Sequence, residues 1–263
     1  MDTQRAKAEA FRDLHRGPEP LLIFNVWDVA SAKAVAPHVK AIATSSWAVA
    51  ASQGYDDGED TPLDVVEQLV IRMTRGVDLP VSIDLEAGYG QTPDEAAHSV
   101  ERVIRAGAVG INLEDGLVGG RRELAPVDTH ARKIAAIRRR ADGLGVPLFI
   151  NARTDPYLLR IGDAAACLNE ATRRARAYSD AGANGLFIPG LVDLEQIATL
   201  AQSTPLPLNV MATDGAPELA EIAKAGARRI SMATSPLTSA MRVLGAGAAY
   251  TAEHRRYGTF LRP

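Results

Sequence analysis

One cysteine, Cys167, stands among 263 residues, so the chain carries neither a disulfide framework nor a cysteine-rich zinc site. Aromatic residues make up only 5%, which leaves Ala, Val, Ile and Leu to build the core. No run of about 18 apolar residues occurs, and Met1 to Gly17 lacks the apolar stretch of a secretion signal. Charge of one sign is also missing. The 29 basic residues nearly balance 32 acidic ones, and a net charge of -3 gives no global field for gripping nucleic acid or an anionic membrane. These absences predict a soluble, cytoplasmic protein whose partners are small anions or its own subunits. No Gly-x-Gly-x-x-Gly or phosphate-loop sequence opens a helix, so nucleotide binding has no support.

What the chain does contain is a repeated β-α rhythm. Short apolar runs predict eight strands, at Leu21–Asn25, Ala41–Ser45, Val81–Leu85, Val109–Leu113, Leu148–Ala152, Gly185–Ile188, Leu208–Met211 and Arg229–Met232. Helical periodicity fills the spaces, over Pro62–Val77, Pro93–Ala106, Thr129–Ala141, Asp163–Ala181, Leu194–Ala201 and Pro217–Ala225. Two further helices, Pro236–Leu244 and Thr251–Phe260, follow the last strand. The tripeptide Ala-Gly-Ala recurs at Ala106–Ala108, Ala181–Ala183 and Ala225–Ala227, where a glycine can stop a helix and a strand can begin. Eight such units without a linker predict one domain over residues 1–263, folded as a (β/α)8 TIM-type barrel.

In such a barrel the active site lies at the C-terminal ends of the strands. Read in order, those ends bring Asp84, Glu86 and Glu114 toward one small volume. Carboxylates near strand ends also cap helices or pair with arginines, but three on adjacent strands favour a hard cation, with Mg2+ foremost and Mn2+ possible. Arg153 is the one cation at a neighbouring strand end. It suits a substrate carboxylate, or it neutralises Glu114 or Asp155. Ser45 and Ser46, with a helix following them, can offer hydroxyls and N–H groups to a carboxylate or phosphonate. No lysine falls at a strand end, against a Schiff-base aldolase, and all five histidines fall in helices or tails, against a histidine-bound zinc.

These residues resemble the isocitrate lyase and phosphoenolpyruvate mutase superfamily. The resemblance rests on Asn25-Val26-Trp27-Asp28, Asp84-Leu85-Glu86-Ala87-Gly88-Tyr89-Gly90, Asn112-Leu113-Glu114-Asp115 and Asn151-Ala152-Arg153-Thr154-Asp155, and it runs on to Pro236-Leu237-Thr238-Ser239-Ala240. It implies a barrel that often exchanges its last helix between subunits, assembled as a dimer or a tetramer. It also implies Asp84, Glu86 and Glu114 as Mg2+ ligands, Ser45, Ser46 and Trp47 as an anion-binding turn, and Asp57 facing the reacting group. Arg153 then stands beside the departing group, and Asn112 and Asn209 contact substrate. Members make or break C–C bonds beside a 2-oxo or 2-hydroxy acid, or P–C bonds.

Two departures bear on the reaction. The Lys-Lys/Arg-Cys-Gly-His loop of isocitrate and methylisocitrate lyases is replaced by Gly116-Leu117-Val118-Gly119-Gly120-Arg121-Arg122-Glu123-Leu124, without Cys or His. Strand three reads Asp-Leu-Glu where many members have Asp-Ala-Asp. The expectation is therefore a Mg2+-dependent lyase acting on a small 2-oxo or 2-hydroxy di- or tricarboxylate through an enolate. Proton transfer falls to Tyr55, Tyr89, Asp57 or a metal-bound water. Arg121 or Arg122 could meet a distal carboxylate. The alternatives are P–C bond mutation or hydrolysis, and a catalytically weak barrel that only binds a 2-oxo acid.

Overall fold

The computed structural model describes residues 2–117, 119, 121–256 and 258. Eight parallel strands stand in the order β1-β8-β7-β6-β5-β4-β3-β2. They are β1 (Leu21–Ile23), β2 (Ile42–Ala43), β3 (Val81–Asp84), β4 (Gly110–Glu114), β5 (Phe149–Arg153), β6 (Gly185–Ile188), β7 (Leu208–Met211) and β8 (Arg229–Ser231). A parallel bridge between Val26 and Thr44 joins the two ends, so the sheet closes into the expected barrel. The Val26 N–H donates to Ala43 O at 3.0 Å across that seam.

Helices cover the outside in the expected sequence: α4 (Leu63–Gly76), α5 (Pro93–Arg105), α6 (Val127–Gly143), α7 (Ala164–Asp180), α8 (Leu194–Ser203) and α9 (Leu219–Lys224). Their starts follow side-chain chemistry. Thr92 and Glu95 form a reciprocal capping box on α5, while Asp163 and Asp193 accept the Ala166 and Gln196 N–H groups at the starts of α7 and α8. Val100, Val103 and Ile104 of α5 are buried against the strands, as are Ile134 and Ile137 of α6.

Two helices, α1 (Asp2–Leu14) and α2 (Val29–Val35), have no counterpart among those expected from the sequence, whereas α3 (Ser46–Gln53) follows the Ser45-Ser46 turn as expected. The first closes the N-terminal end of the barrel, where Phe11 meets Phe149 of β5 edge-on at 5.4 Å and His15 stacks on the same ring at 3.9 Å. The last helix also differs. In place of two pieces, α10 (Ser235–His254) runs unbroken through Gly245 and Gly247 and stops at Arg255 in the left-handed region. Tyr257, Thr259 and Phe260, from the end of the expected Thr251–Phe260 helix, lie outside the described residues.

Helix α10 buries only Pro236, Leu237 and Gly247, while Met241, Val243 and Leu244 are exposed. Leu22 and Phe24, at the outer face of the first strand, are about half exposed as well (45% and 48%). The barrel thus presents an apolar strand face that its own last helix does not cover.

Candidate active site

The C-terminal strand ends surround a cavity of about 490 Å3. Its lining combines polar groups, among them Ser46, Asp57, Asp84, Asn112, Arg122, Arg153 and Asp155, with the apolar Trp47, Leu158, Leu159, Phe187 and Met211. Asp84, the last residue of β3, is fixed by its neighbours. The Ser46 N–H and hydroxyl donate to Asp84 Oδ2 at 3.1 and 3.0 Å, and the Asp84 N–H donates to Thr44 Oγ1 at 2.9 Å. Its second carboxylate oxygen, Oδ1, is buried and has no hydrogen-bond partner among the described residues. A buried carboxylate oxygen left bare is costly, so this atom is built to take a cation or a donor from a ligand.

Glu114 at the end of β4 reaches Arg153 at 2.5 Å and Arg122 at 3.1 Å. Burial raises its carboxyl above the ordinary range against the pull of Arg153. Arg153 also forks onto both Asp155 oxygens at 2.7 Å each. Both roles weighed for this arginine are therefore realised: it neutralises Glu114 and Asp155, and it lines the cavity. Gly116 makes room for this pair, because a Cβ there would stand 2.7 Å from Asp155 Cβ.

Glu86 departs from the expected convergence. Its backbone is left-handed (φ 48°), and its carboxylate turns to accept the Glu59 N–H at 2.7 Å and the Tyr89 hydroxyl at 3.4 Å. Burial and the charge of Asp57 push its carboxyl up to about 7. Glu59 and Tyr89 are left-handed too, and the Tyr89 N–H donates to Glu59 at 2.6 Å, so three residues in that region lock onto one another. Lys133 of α6 holds the same turn through Ala87 O and Gly90 O. Among the described residues no group of three acidic, His or Cys side chains stands close enough to form a ready metal cluster. The charge of Asp84 acts on both Glu86 and Glu114, so the three carboxylates share one electrostatic neighbourhood.

The other expected residues divide. Asp57 lines the cavity and pairs with Arg122. Trp47 and Asn112 also line it. Ser45 spends its hydroxyl capping α3 at the Ala48 N–H, and Ser46 spends its donors on Asp84, so the turn supports the carboxylate as well as facing the cavity. Asn209 lies one layer beneath. Its Oδ1 accepts from Asn151 at 3.0 Å, its Nδ2 donates to Ser231 at 3.1 Å, and Asn151 in turn donates to Asn112. It holds the amides of the floor and does not line the cavity. Tyr55 is half-buried outside the lining. Tyr89 reaches Glu86 in a side recess, with its phenol raised far above its ordinary range by burial and by Glu86. Of the loop from Gly116 to Leu124, Val118 and Gly120 lie outside the described residues, while Arg122 enters the cavity lining and Arg121 is exposed beside Glu123.

Sequence reasoning missed the support behind these groups. Asp115 is fully buried and accepts from Tyr178 at 2.5 Å, from Arg174 at 2.7 Å and from the Asp155 N–H at 3.3 Å. Arg174 also donates to Ala125 O, tying the end of the loop to α7. The Arg-x-x-x-Tyr spacing places both side chains on one helix face, which is a readable signal, but nothing in it names Asp115 as the partner.

Three known proteins share this framework. A crystal structure of a provisionally assigned phosphonomutase from Burkholderia cenocepacia J2315 superposes with a TM-score of 0.89 at 44% identity, covering 94% of this chain and 98% of that one. The 2-methylisocitrate lyase of Escherichia coli (strain K12) is 31% identical over 80% of this chain and 70% of its own. An oxaloacetate decarboxylase of Bradyrhizobium sp. is 34% identical over 62% of this chain and 54% of its own. The family model described as phosphoenolpyruvate phosphomutase matches residues 11–252, and with these likenesses the chain belongs to the isocitrate lyase and phosphoenolpyruvate mutase superfamily.

Proposed function

We propose that the protein is a Mg2+-dependent lyase that cleaves a C–C bond of a 2-oxo or 2-hydroxy dicarboxylate. The observation that carries this reading is the bare, buried Oδ1 of Asp84 in a cavity whose other polar groups are Arg153, Arg122, Asp57 and Asn112. An all-oxygen donor set suits a hard cation. Asp84 would hold it directly, with Glu86 and Glu114 reaching it through water. A bound Mg2+ supplies Lewis-acid stabilisation to a developing enolate.

The chain's own residues do the remainder. Arg153, locked by Asp155 and Glu114, presents its remaining N–H groups in fixed directions toward the carboxylate that departs. Asn112, held by Asn151, orients a substrate oxygen from the floor. Asp57 is the cavity carboxylate placed to accept a substrate hydroxyl proton, with Arg122 paired beside it. Tyr89 keeps its proton and donates it to Glu86, which makes it a support for that carboxylate. The loop without Cys or His speaks against methylisocitrate as substrate, although a relative is named for that reaction.

The assembly follows from the uncovered faces. The exposed Met241, Val243 and Leu244 of α10 match an apolar need at Leu22 and Phe24, so α10 crosses to a second copy and the protein is a dimer or a tetramer.

A coupled pyruvate-release screen over 2-oxo and 2-hydroxy dicarboxylates, with Mg2+ present, tests the reaction. Turnover of at least one member is expected, and oxaloacetate is the first to try. The similarity to a phosphonomutase favours one second reading, P–C chemistry. A silent screen together with a new phosphorus resonance from phosphonopyruvate would establish that reading in its place.

A further inference from the structure

Asp115 does not line the cavity, yet it grips the chain on both sides of Arg153. Its N–H donates to Arg153 O at 3.2 Å, and its Oδ1 accepts the Asp155 N–H at 3.3 Å. The Asp155 carboxylate in turn accepts from Arg153 Nε and Nη2 at 2.7 Å each. Asp155 therefore sets the direction of the guanidinium, and Asp115 sets the place of Asp155. Helix α7 fixes Asp115 from behind. The Tyr178 hydroxyl donates to Asp115 Oδ2 at 2.5 Å and Arg174 Nη1 donates to the same oxygen at 2.7 Å. Arg174 Nη1 also donates to Ala125 O at 2.9 Å, and the Ala125 N–H donates to Asp115 O at 2.8 Å, so the chain beyond Arg122 returns to the same post. All three side chains are buried. A buried ion pair is a weak source of stability compared with apolar side chains of the same volume. What it supplies here is direction, with one carboxylate oxygen facing β5 and the other facing α7.

Resting on the lyase reading above, we infer that Tyr178 and Arg174 are positioning residues for Arg153. Acting through Asp115 and Asp155, they aim its guanidinium at the departing group from a helix that contributes no residue to the cavity lining. Misplacing a group that stabilises developing charge by about 1 Å can cost about 100-fold in rate. Loss of one hydroxyl, three hydrogen bonds away from the guanidinium, should release part of that effect. The loss belongs in kcat, because the charge on the departing group develops only in the transition state.

The test measures kcat and KM on the best dicarboxylate, with Mg2+ and well below every thermal midpoint, for wild type, Tyr178→Phe, Arg174→Lys and Thr74→Val. Tyr178→Phe is expected to lower kcat at least about tenfold, to leave KM within about twofold, and to lower the midpoint by about 2–4 °C. Arg174→Lys keeps the charge but not the reach to both Asp115 and Ala125, so it should lower kcat as well; it decides the matter if the tyrosine variant fails to fold. Thr74→Val is the structural control. It gives up a hydroxyl bonded to Ala106 O at 2.9 Å, ahead of β4 and away from the mouth, and should lower the midpoint without lowering kcat. Hydrogen exchange of the peptide holding Asp155 reads the same geometry without turnover, and in Tyr178→Phe it should speed up at least about tenfold. Unchanged kcat in both α7 variants, an equal fall in Thr74→Val, or unchanged exchange would overturn the inference. A wild type that turns over no dicarboxylate while exchange still speeds up sinks the lyase reading alone. Turnover that neither α7 variant slows sinks the positioning alone.

Discussion

Arg153 donates to three carboxylate oxygens at once, two on Asp155 and one on Glu114. A lysine can carry the charge but cannot fork, so Arg153→Lys should keep the fold and lose function. The expected result is a thermal midpoint within a few degrees of wild type and kcat/KM on the best dicarboxylate lowered at least about 100-fold. Arg153→Met should instead take away the guanidinium that Asp155 and Glu114 share, leaving Glu114 only Arg122, and cost about 3–5 kcal/mol in denaturant titration. At this scale much of the site was legible. Asp84, Asn112 and Arg153 are found by counting toward the end of each strand, because the barrel turns that position into a cavity wall; Glu114, found the same way, reaches the cavity only through Arg153 and Arg122. Glu86 was legible as a member and not as a geometry: its left-handed φ and its grip on Glu59 and Tyr89 have no sequence signal in a residue that is not glycine. Asn209 was placed on the right strand but one layer too high, since a sequence does not say how the barrel's stagger orders its inward side chains.

The helices α4 to α9 follow from periodicity and caps, and they were readable for that reason. Of the helices outside that set, α2 has only seven residues and α1, though thirteen long, buries Ala8 and Phe11; α3, with five Ala or Ser among eight residues, is marked by its serine turn rather than by an apolar stripe. They form because the barrel supplies a surface, as with Phe11 of α1 over Phe149. Unbroken α10 shows the converse. Two glycines inside it, each worth about 1 kcal/mol against alanine, did not end it within alanine-rich surroundings. If α10 seats on a second copy through Val243 and Leu244, then changing both to Glu should shift sedimentation toward the monomer. A wild-type protein that already sediments as a monomer would refute the exchange.

For the molecule as a whole, acid stability reports on how the barrel is closed. Burial holds His15 neutral against Phe149, with its pKa lowered to about 3, and His130 is lowered to about 3 by burial beside Tyr178. Because the unfolded chain binds these protons more tightly, stability is complete above the ordinary histidine pKa and falls as pH drops from about 6.5 toward 3. The loss approaches about 1.4 kcal/mol per pH unit for each histidine. Raised Glu86 and Glu114 gain stability over the same window, so the test is the difference between wild type and His15→Leu in urea titrations at pH 7, 6, 5 and 4: the variant should lose less as pH falls, and parallel curves would contradict the burial. Net charge, near zero for the chain, hides the acidic mouth formed by Asp57, Asp84, Glu86, Glu114 and Asp155. That mouth supports the central claim, that a divalent cation on Asp84 makes C–C cleavage possible. The most direct measurement is a calorimetric Mg2+ titration of wild type and Asp84→Ala, each also assayed for pyruvate release. Wild type is expected to bind Mg2+ and turn over, and the folded variant to lose both. Unchanged Mg2+ affinity and unchanged turnover in Asp84→Ala would contradict it.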